Sequence, residues 1–285
     1  MATIAVLGTG LLGSGFVENL IGKGHRVQIY NRTADKCAPL VALGAIASDE
    51  PAGAVRGAER VHLVLSEDPA VDEVIAAMRP GLGEGVPILD HSTNSPARVA
   101  ARYELLRGEG VHYLHAPVFM APANARAATG LMLISGPSDE VAALRPALEG
   151  MTGRLHHVGE RPDKAAAIKL VGNGMLVMLS GVMGDLFRLG QANDLSPEEI
   201  LELFGIFSPT PAGIGQRVLA AGTRPASFEL TMARKDVRLM IEAAGGPGAL
   251  TVLPVVAGAL DRALEAGHGS EDYAVFAKPP GQSGS

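Results

Sequence analysis

The sequence predicts an α/β chain in two parts: a doubly wound, parallel-sheet domain over residues 1–160 and an all-helical domain over residues 161–285, joined by one long interdomain helix. Three observations lead there. As far as Gly159, short apolar runs alternate with amphipathic stretches of helical length, and strands separated by such helices form parallel sheets covered on both faces. Beyond Gly159 the strand-like runs stop while helical ones continue. Between the two lies the stretch 163–191, DKAAAIKLVGNGMLVMLSGVMGDLFRLGQ, which reads as a single helix.

At 285 residues the chain is long enough for two cores. Hydrophobic residues make up 47% and charged residues 19%, an ordinary globular composition. The net charge of -6 argues against a nucleic-acid partner, and 4% aromatic residues without Trp argue against a platform for stacking bases. No basic amphipathic segment points to a membrane surface. Cys37 is the single cysteine, so neither an internal disulfide nor a multi-cysteine metal site is available. No pair of the eight His residues has metal-ligand spacing, and no metal is expected. A strand-like run begins at Thr3, leaving no room for a signal core, so a cytoplasmic protein is expected. Neither a G-x-S-x-G elbow nor a Walker loop is present, which sets aside the common hydrolase and phosphoryl-transfer chemistries.

In chain order, residues 3–7 (TIAVL) form the first strand and Gly8-Thr9-Gly10-Leu11-Leu12-Gly13 follows, with an amphipathic helix behind it. This is G-x-G-x-x-G in a strand–turn–helix setting. The first Gly permits the turn, the second lets a pyrophosphate approach the backbone, and the third lets helix and strand pack. The helix N-terminus then faces the phosphates, and the domain reads as Rossmann-type. The next strand, residues 26–30, ends where an NAD-binding fold carries an acidic residue for the ribose 2′-hydroxyl. Here the residues are Asn31-Arg32-Thr33. A guanidinium beside small hydrogen-bonding groups suits a 2′-phosphate, so NADP(H) is the expected cofactor.

Strands over 61–65, 86–90 and 111–115 alternate with helices over 69–78 and 96–107, the latter begun by Ser95-Pro96. In such sheets the ligand lies at the strand carboxyl ends. Leu65, Ser66, Ser92, Thr93 and the segment from Ala116 onward fall there. Residues 131–134 and 155–158 are expected as edge strands. In the second half, Ser196-Pro197-Glu198-Glu199 is a capping box, followed by helical runs over 229–244 and 250–266. The tail 279–285, PPGQSGS, reads as unstructured.

The long helix carries the most informative pattern. Between Ala165 and Gly184 only Lys169, Asn173 and Ser180 have polar side chains, and at about 100° per residue they share a stripe about 40° wide. A helix apolar nearly all round is usually buried. A buried amine costs several kcal/mol unless it is paired or neutralised, so Lys169 is either satisfied there or used there. An amide one turn away on the same face suits proton transfer to or from a substrate oxygen.

With these motifs in place, residues 2–277 resemble the β-hydroxyacid dehydrogenases, the family of 3-hydroxyisobutyrate dehydrogenase and the glyoxylate/succinic semialdehyde reductases. The glycine loop, Asp90-His91-Ser92-Thr93-Asn94-Ser95-Pro96, Ala116-Pro117-Val118, Ala127-Ala128-Thr129-Gly130, Lys169 with Asn173, and Lys235-Asp236 occur in the family's order. The resemblance implies an NADP-dependent oxidoreductase acting on CH–OH and C=O groups, with Lys169 as general acid/base and Asn173 as its partner. It places Gly8 to Gly13, Asn31, Arg32, Thr33, Leu65, Ser66, Thr93 and Lys235 at the cofactor. Ser92, Thr93, Val118, Phe119, Met120 and Ala121 fall at the substrate. Two departures stand out. Phe119-Met120-Ala121-Pro122 replaces a Ser-Gly-Gly segment that offers donors to a carboxylate, and Gly172 stands where many members have Asn. The apolar replacement keeps an imine reductase open as an alternative, although imine reductases usually lack the Lys. A non-catalytic nucleotide-binding module is the third reading. A small-molecule carbonyl, hydroxy or imine substrate and a homodimer or homotetramer are the expected partners.

Overall fold

The computed structural model describes residues 1–279. The chain divides into two compact units between Lys169 and Leu170. In the first unit, strands β1 (Thr3–Leu7), β2 (Arg26–Tyr30), β3 (Ile46–Ala47), β4 (Arg60–Leu63), β5 (Ile88–Asp90) and β6 (Tyr113–His115) form one parallel sheet in the order β3-β2-β1-β4-β5-β6. The helices between them are α1 (Leu11–Gly22), α2 (Ala38–Ala42), α3 (Pro51–Val55), α4 (Asp68–Met78) and α5 (Pro96–Gly108). Strand alternation sorts the core into two layers. Ile4, Val6, Leu89 and Leu114 pack on one face with Phe16, Val17 and Leu20 of α1, while Ala5, Leu7, Val61, Leu63 and Ile88 pack on the other with Val71, Ile75, Val99 and Tyr103 of α4 and α5. The strand order reverses between β1 and β4, and a ligand crevice opens at the carboxyl ends of strands at such a point.

The rest of this unit departs from the edge-strand expectation. Strands β7 (Val118–Phe119), β8 (Leu131–Ile134) and β9 (Arg154–His157) make a separate sheet, β7-β8-β9, and do not extend the first. Pro117 is the hinge of the separation, because it has no N–H with which to continue a ladder. Its carbonyl instead accepts from Leu133 N at 2.9 Å. Helix α6 (Pro122–Ala127) lies on α1, where a Cβ at Gly15 would come within 2.9 Å of the Ala125 side chain, and α7 (Ser138–Glu149) leads to β9.

Helix α8 (Lys164–Gln191) begins in the first unit. Its opening residues pack there, Ala165 with Leu133 and Val158 and Ala166 with the α4–α5 layer, so the change of unit falls at Lys169 and not at the start of the helix. By length and composition α8 could cross a membrane. It is instead a core helix of the second unit, where Leu170, Val177, Met183 and Phe187 are buried among helices α9 (Pro197–Phe207), α10 (Pro209–Ala220), α11 (Leu230–Ala243) and α12 (Leu253–Glu265). The Ser196 capping box starts α9: its hydroxyl accepts from Glu199 N, and Ser196 N donates to the Glu199 carboxylate. Among the described residues this unit holds no strand, only an isolated bridge between Glu229 and Asp272. Of the tail, residues 280–285 lie outside the described residues.

Candidate active site

The glycine loop shows what each glycine is for. Gly8 has φ +100°, and a Cβ there would meet the Val64 carbonyl oxygen at 2.2 Å; at Gly13 a Cβ would meet the Gly8 carbonyl oxygen at 1.9 Å. Both are fixed by the packing of β1, α1 and the loop after β4. Gly10 differs: a Cβ there would have no neighbour within 4 Å, and no side chain caps the α1 N-terminus behind it. An uncapped helix start with open space before it fits a pyrophosphate, whose oxygens take the orphan N–H groups. Thr9 is buried, its amide donating to Asn31 Oδ1 at 3.1 Å. Asn31 Nδ2 donates in turn to the Thr33 carbonyl at 2.9 Å, so Asn31 ties the loop after β2 to the glycine loop. Arg32 is exposed, and no hydrogen bond or ion pair holds it among the described residues. Leu11 is half exposed at the helix start, and Leu12 packs against the α1 layer.

The loops after β4 and β5 hold each other. Leu65 N donates to Ser92 Oγ at 3.0 Å, and Ser66 beside it is exposed. Asp90 is buried at the end of β5, where its carboxylate accepts from Ser92 N at 2.9 Å, Asn94 Nδ2 at 2.7 Å and Tyr113 Oη at 2.8 Å. Arg102 reaches in from α5 to Tyr113 Oη and to Asp68 and Asp72. Burial would lower the Arg102 pKa, but Tyr113, Asp72 and Asp90 more than offset it and raise it. Burial, with Asp90 next, pushes the Tyr113 phenol well above its ordinary range. The loop that presents Thr93 is therefore fixed from below. Ser92 is itself buried and has its hydroxyl occupied by the Leu65 amide.

Lys169 is 8% exposed. Its Nζ donates to the Val118 carbonyl at 2.7 Å and lies 4.2 Å from the Phe119 ring centroid. Of the neighbouring segment, Ala121 N is already donated to Asn124 Oδ1 at 2.9 Å. Pro122 has no N–H, and Arg126 is paired with Glu18 at 2.6 Å. In the helical unit, Asn173 is 4% exposed and donates through Nδ2 to Asp236 Oδ2 at 2.6 Å. Lys235 Nζ lies 2.6 Å from the other oxygen of the same carboxylate. Asp236 thus holds both residues that the sequence singled out in this unit. Its own weight was not visible in the sequence, where it appeared only as the second letter of a Lys-Asp pair.

The comparisons with known proteins fit these features. Residues 3–159 match the NAD-binding domain of 6-phosphogluconate dehydrogenase. The chain is 29% identical to 3-hydroxyisobutyrate dehydrogenase of Pseudomonas aeruginosa over 95% of its own length and 94% of the relative's. It belongs to the β-hydroxyacid dehydrogenase family. Two solved structures share the fold over nearly all of both chains. Mycobacterium tuberculosis 3-hydroxyisobutyrate dehydrogenase, solved with L-serine, has a TM-score of 0.82 at 23% identity and covers 97% of this chain and 98% of its own. An imine reductase of Myxococcus stipitatus, solved with NADP+, has a TM-score of 0.68 at 21% identity and covers 96% and 98%. The chain is an oxidoreductase with an NAD(P)-binding domain.

Proposed function

We propose that this oxidoreductase uses NADPH to reduce an aldehyde, ketone or oxo acid, and oxidises the alcohol in reverse, with Lys169 as general acid and base. The observation that carries this is the buried Lys169 amine, held by a backbone carbonyl and an aromatic face. Both partners favour an ammonium, the form that can give a proton to a carbonyl oxygen. When bound, the nicotinamide supplies the hydride. The chain's own part is to bind and orient. The amides from Gly8 to Gly13 receive the pyrophosphate, and Arg32, with Asn31 and Thr33, receives the 2′-phosphate. Leu65, Ser66, Thr93 and Lys235 are the remaining cofactor contacts, as the family resemblance implies. Asn173 orients either the substrate oxygen, through the Nδ2 hydrogen not given to Asp236, or the Lys169 amine, through Oδ1 as acceptor.

The substrate pocket is proposed to be apolar, lined by Val118, Phe119, Met120 and Ala121 with Ser92 and Thr93. A small carboxylate entering a closed cleft must recover its lost hydration from fixed donors. Ala121 N and Arg126 Nε are already committed and Pro122 has no N–H, so the segment offers few fixed donors unless the Arg126 Nη groups turn in. A bulkier carbonyl gains about 25 cal/mol per Å² of apolar surface buried. The same lining favours a second reading, reduction of an imine. NADPH consumption over a panel pairing short acids with apolar carbonyls and cyclic imines tests the proposal. The expected outcome is the highest kcat/KM on an apolar carbonyl. A short hydroxy acid preferred over every apolar substrate would overturn the pocket, and turnover confined to imines would replace the reaction. A homodimer or homotetramer completes the proposal, because α8 leaves Val171, Met175, Val182 and Leu189 exposed.

A further inference from the structure

The sheet face against α1 contains a buried row of polar side chains that the mechanism above does not use. Arg60 and His62 of β4 and His91 after β5 are 8%, 0% and 3% exposed. Central strands of a parallel sheet are normally filled with Val, Ile and Leu, and apolar residues of similar volume would be no less stable there. The hydrogen bonds run in one direction. The Ala116 carbonyl can only accept, so His91 Nδ1 donates to it, at 2.6 Å. His91 Nε2 then accepts from His62 Nδ1 at 2.9 Å. His62 Nε2 in turn accepts from Arg60 Nε at 3.1 Å. The two imidazole planes are inclined by 11° with centroids 5.2 Å apart, and Phe16 of α1 packs on His91 at 5.2 Å. Burial first, then the neighbouring cation or imidazole, keeps His62 neutral, and burial likewise lowers His91. Both are therefore in the form this directional row requires.

The row ends on a segment with a particular job. Residues 116–118 cross from one sheet to the other, and each of their carbonyls has its own donor: Ala116 O takes His91 Nδ1, Pro117 O takes Leu133 N at 2.9 Å, and Val118 O takes Lys169 Nζ at 2.7 Å. Ala116 is also pinned through its amide, which donates to Asp90 O at 2.7 Å. Pro117 has no N–H to contribute, so the orientation of the crossover depends on its carbonyls.

We infer that His91, braced by His62 and Arg60, is a positioning residue for the catalytic amine, setting the Ala116–Val118 crossover so that the Val118 carbonyl holds Lys169 in place. This rests on the proposed role of Lys169. Misplacing a catalytic group by about 1 Å can cost on the order of 100-fold in rate, which is ample reason to keep a buried imidazole pair in a sheet.

The test uses the full chain with NADPH and the best carbonyl substrate. His91→Leu removes the donor to Ala116 O, while His91→Asn places an amide N–H near the position of Nδ1. His91→Leu is expected to lower kcat at least about tenfold with KM and NADPH affinity within about threefold, and His91→Asn to restore most of that loss. In a Lys169→Met background, His91→Leu is expected to change the residual rate by less than about twofold. An unchanged kcat in His91→Leu overturns the inference, as does equal loss in the Asn variant or an equal further loss in the Lys169→Met background. Should His91→Leu fail to fold, His62→Leu carries the test: it releases the brace and keeps the donor, with an expected kcat loss of about threefold. No loss there overturns the inference too. The two claims separate cleanly. If Lys169→Met leaves kcat intact, the general-acid role fails and the inference with it; if Lys169→Met abolishes turnover while His91→Leu does not affect it, only the inference fails.

Discussion

Two stripes of α8 run against the pattern of an ordinary surface helix, although Leu170, Val177, Met183 and Phe187 are buried in the usual way. Lys169, Asn173 and Ser180 lie within one stripe about 40° wide and are 8%, 4% and 0% exposed. Val171, Met175, Val182 and Leu189 lie within an equally narrow stripe on the opposite side and are 75%, 50%, 47% and 62% exposed. The usual arrangement puts apolar residues inward, so two separate causes are needed. Each inward polar residue has a named partner: the Val118 carbonyl for Lys169, Asp236 for Asn173, and Leu176 O with Tyr273 Oη for Ser180. Burying polar groups without such partners costs about 1–3 kcal/mol each. The outward apolar stripe has no such local explanation and is what a second subunit would cover. Under the proposed function the inner side serves chemistry and the outer side assembly.

Breaking the outer side should have the largest effect. Val171→Glu with Leu189→Glu places two charges in a face meant to be buried, weakening self-association by about 4–6 kcal/mol, or three to four decades. Light scattering should then report a monomer where the unmodified chain is at least a dimer. A monomeric unmodified chain would show that the stripe simply faces water. On the inner side, Asp236→Ala removes the acceptor of the Asn173 amide, and a loss of about 1–3 kcal/mol in unfolding free energy is expected by denaturant titration. A loss under about 1 kcal/mol would mean that Asp236 does not brace Asn173.

Acid should expose a similar dependence in the sheet. Burial lowers His91 to about 4, whereas an unfolded chain titrates near 6.5. Between those values the unfolded state binds the extra proton, so stability is full above pH 6.5 and lost as pH falls toward 4, by about 3 kcal/mol from this group alone. Urea midpoints across that window check it, and a pH-independent midpoint would contradict a neutral imidazole row. The smallest effect is expected at the cofactor. Arg32→Ala removes charge-assisted bonds of about 1.5–3 kcal/mol, a loss of about tenfold or more in NADPH affinity with little change for NADH. Equal affinity of the unmodified protein for the two cofactors would refute the 2′-phosphate assignment.

Much of this was legible in the sequence because it is local. The glycine loop needs six consecutive residues and a strand before it. The polar stripe of α8 needs only helical spacing, and all three of its residues proved buried. Relations between distant residues were not legible. The small sheet exists because Pro117 stops the first ladder and Val118 pairs with Met132, a register that no periodicity over two residues can announce. The link from Asn173 to Asp236 spans 63 positions and that from His62 to His91 spans 29. The exposed stripe was hidden for the opposite reason. An apolar helix reads as buried, and the sequence does not say whether its own chain or another copy covers each side.

The most direct measurement is the turnover rate of Lys169→Met per NADPH-binding site, set beside its NADPH affinity. If Lys169 donates the proton, the rate should fall by about two to four orders of magnitude while cofactor affinity stays within about a fewfold of the unmodified enzyme. A variant that loses stability or cofactor binding but keeps its rate per folded site would show that Lys169 is a structural lysine and that the inner side of α8 does not carry the chemistry.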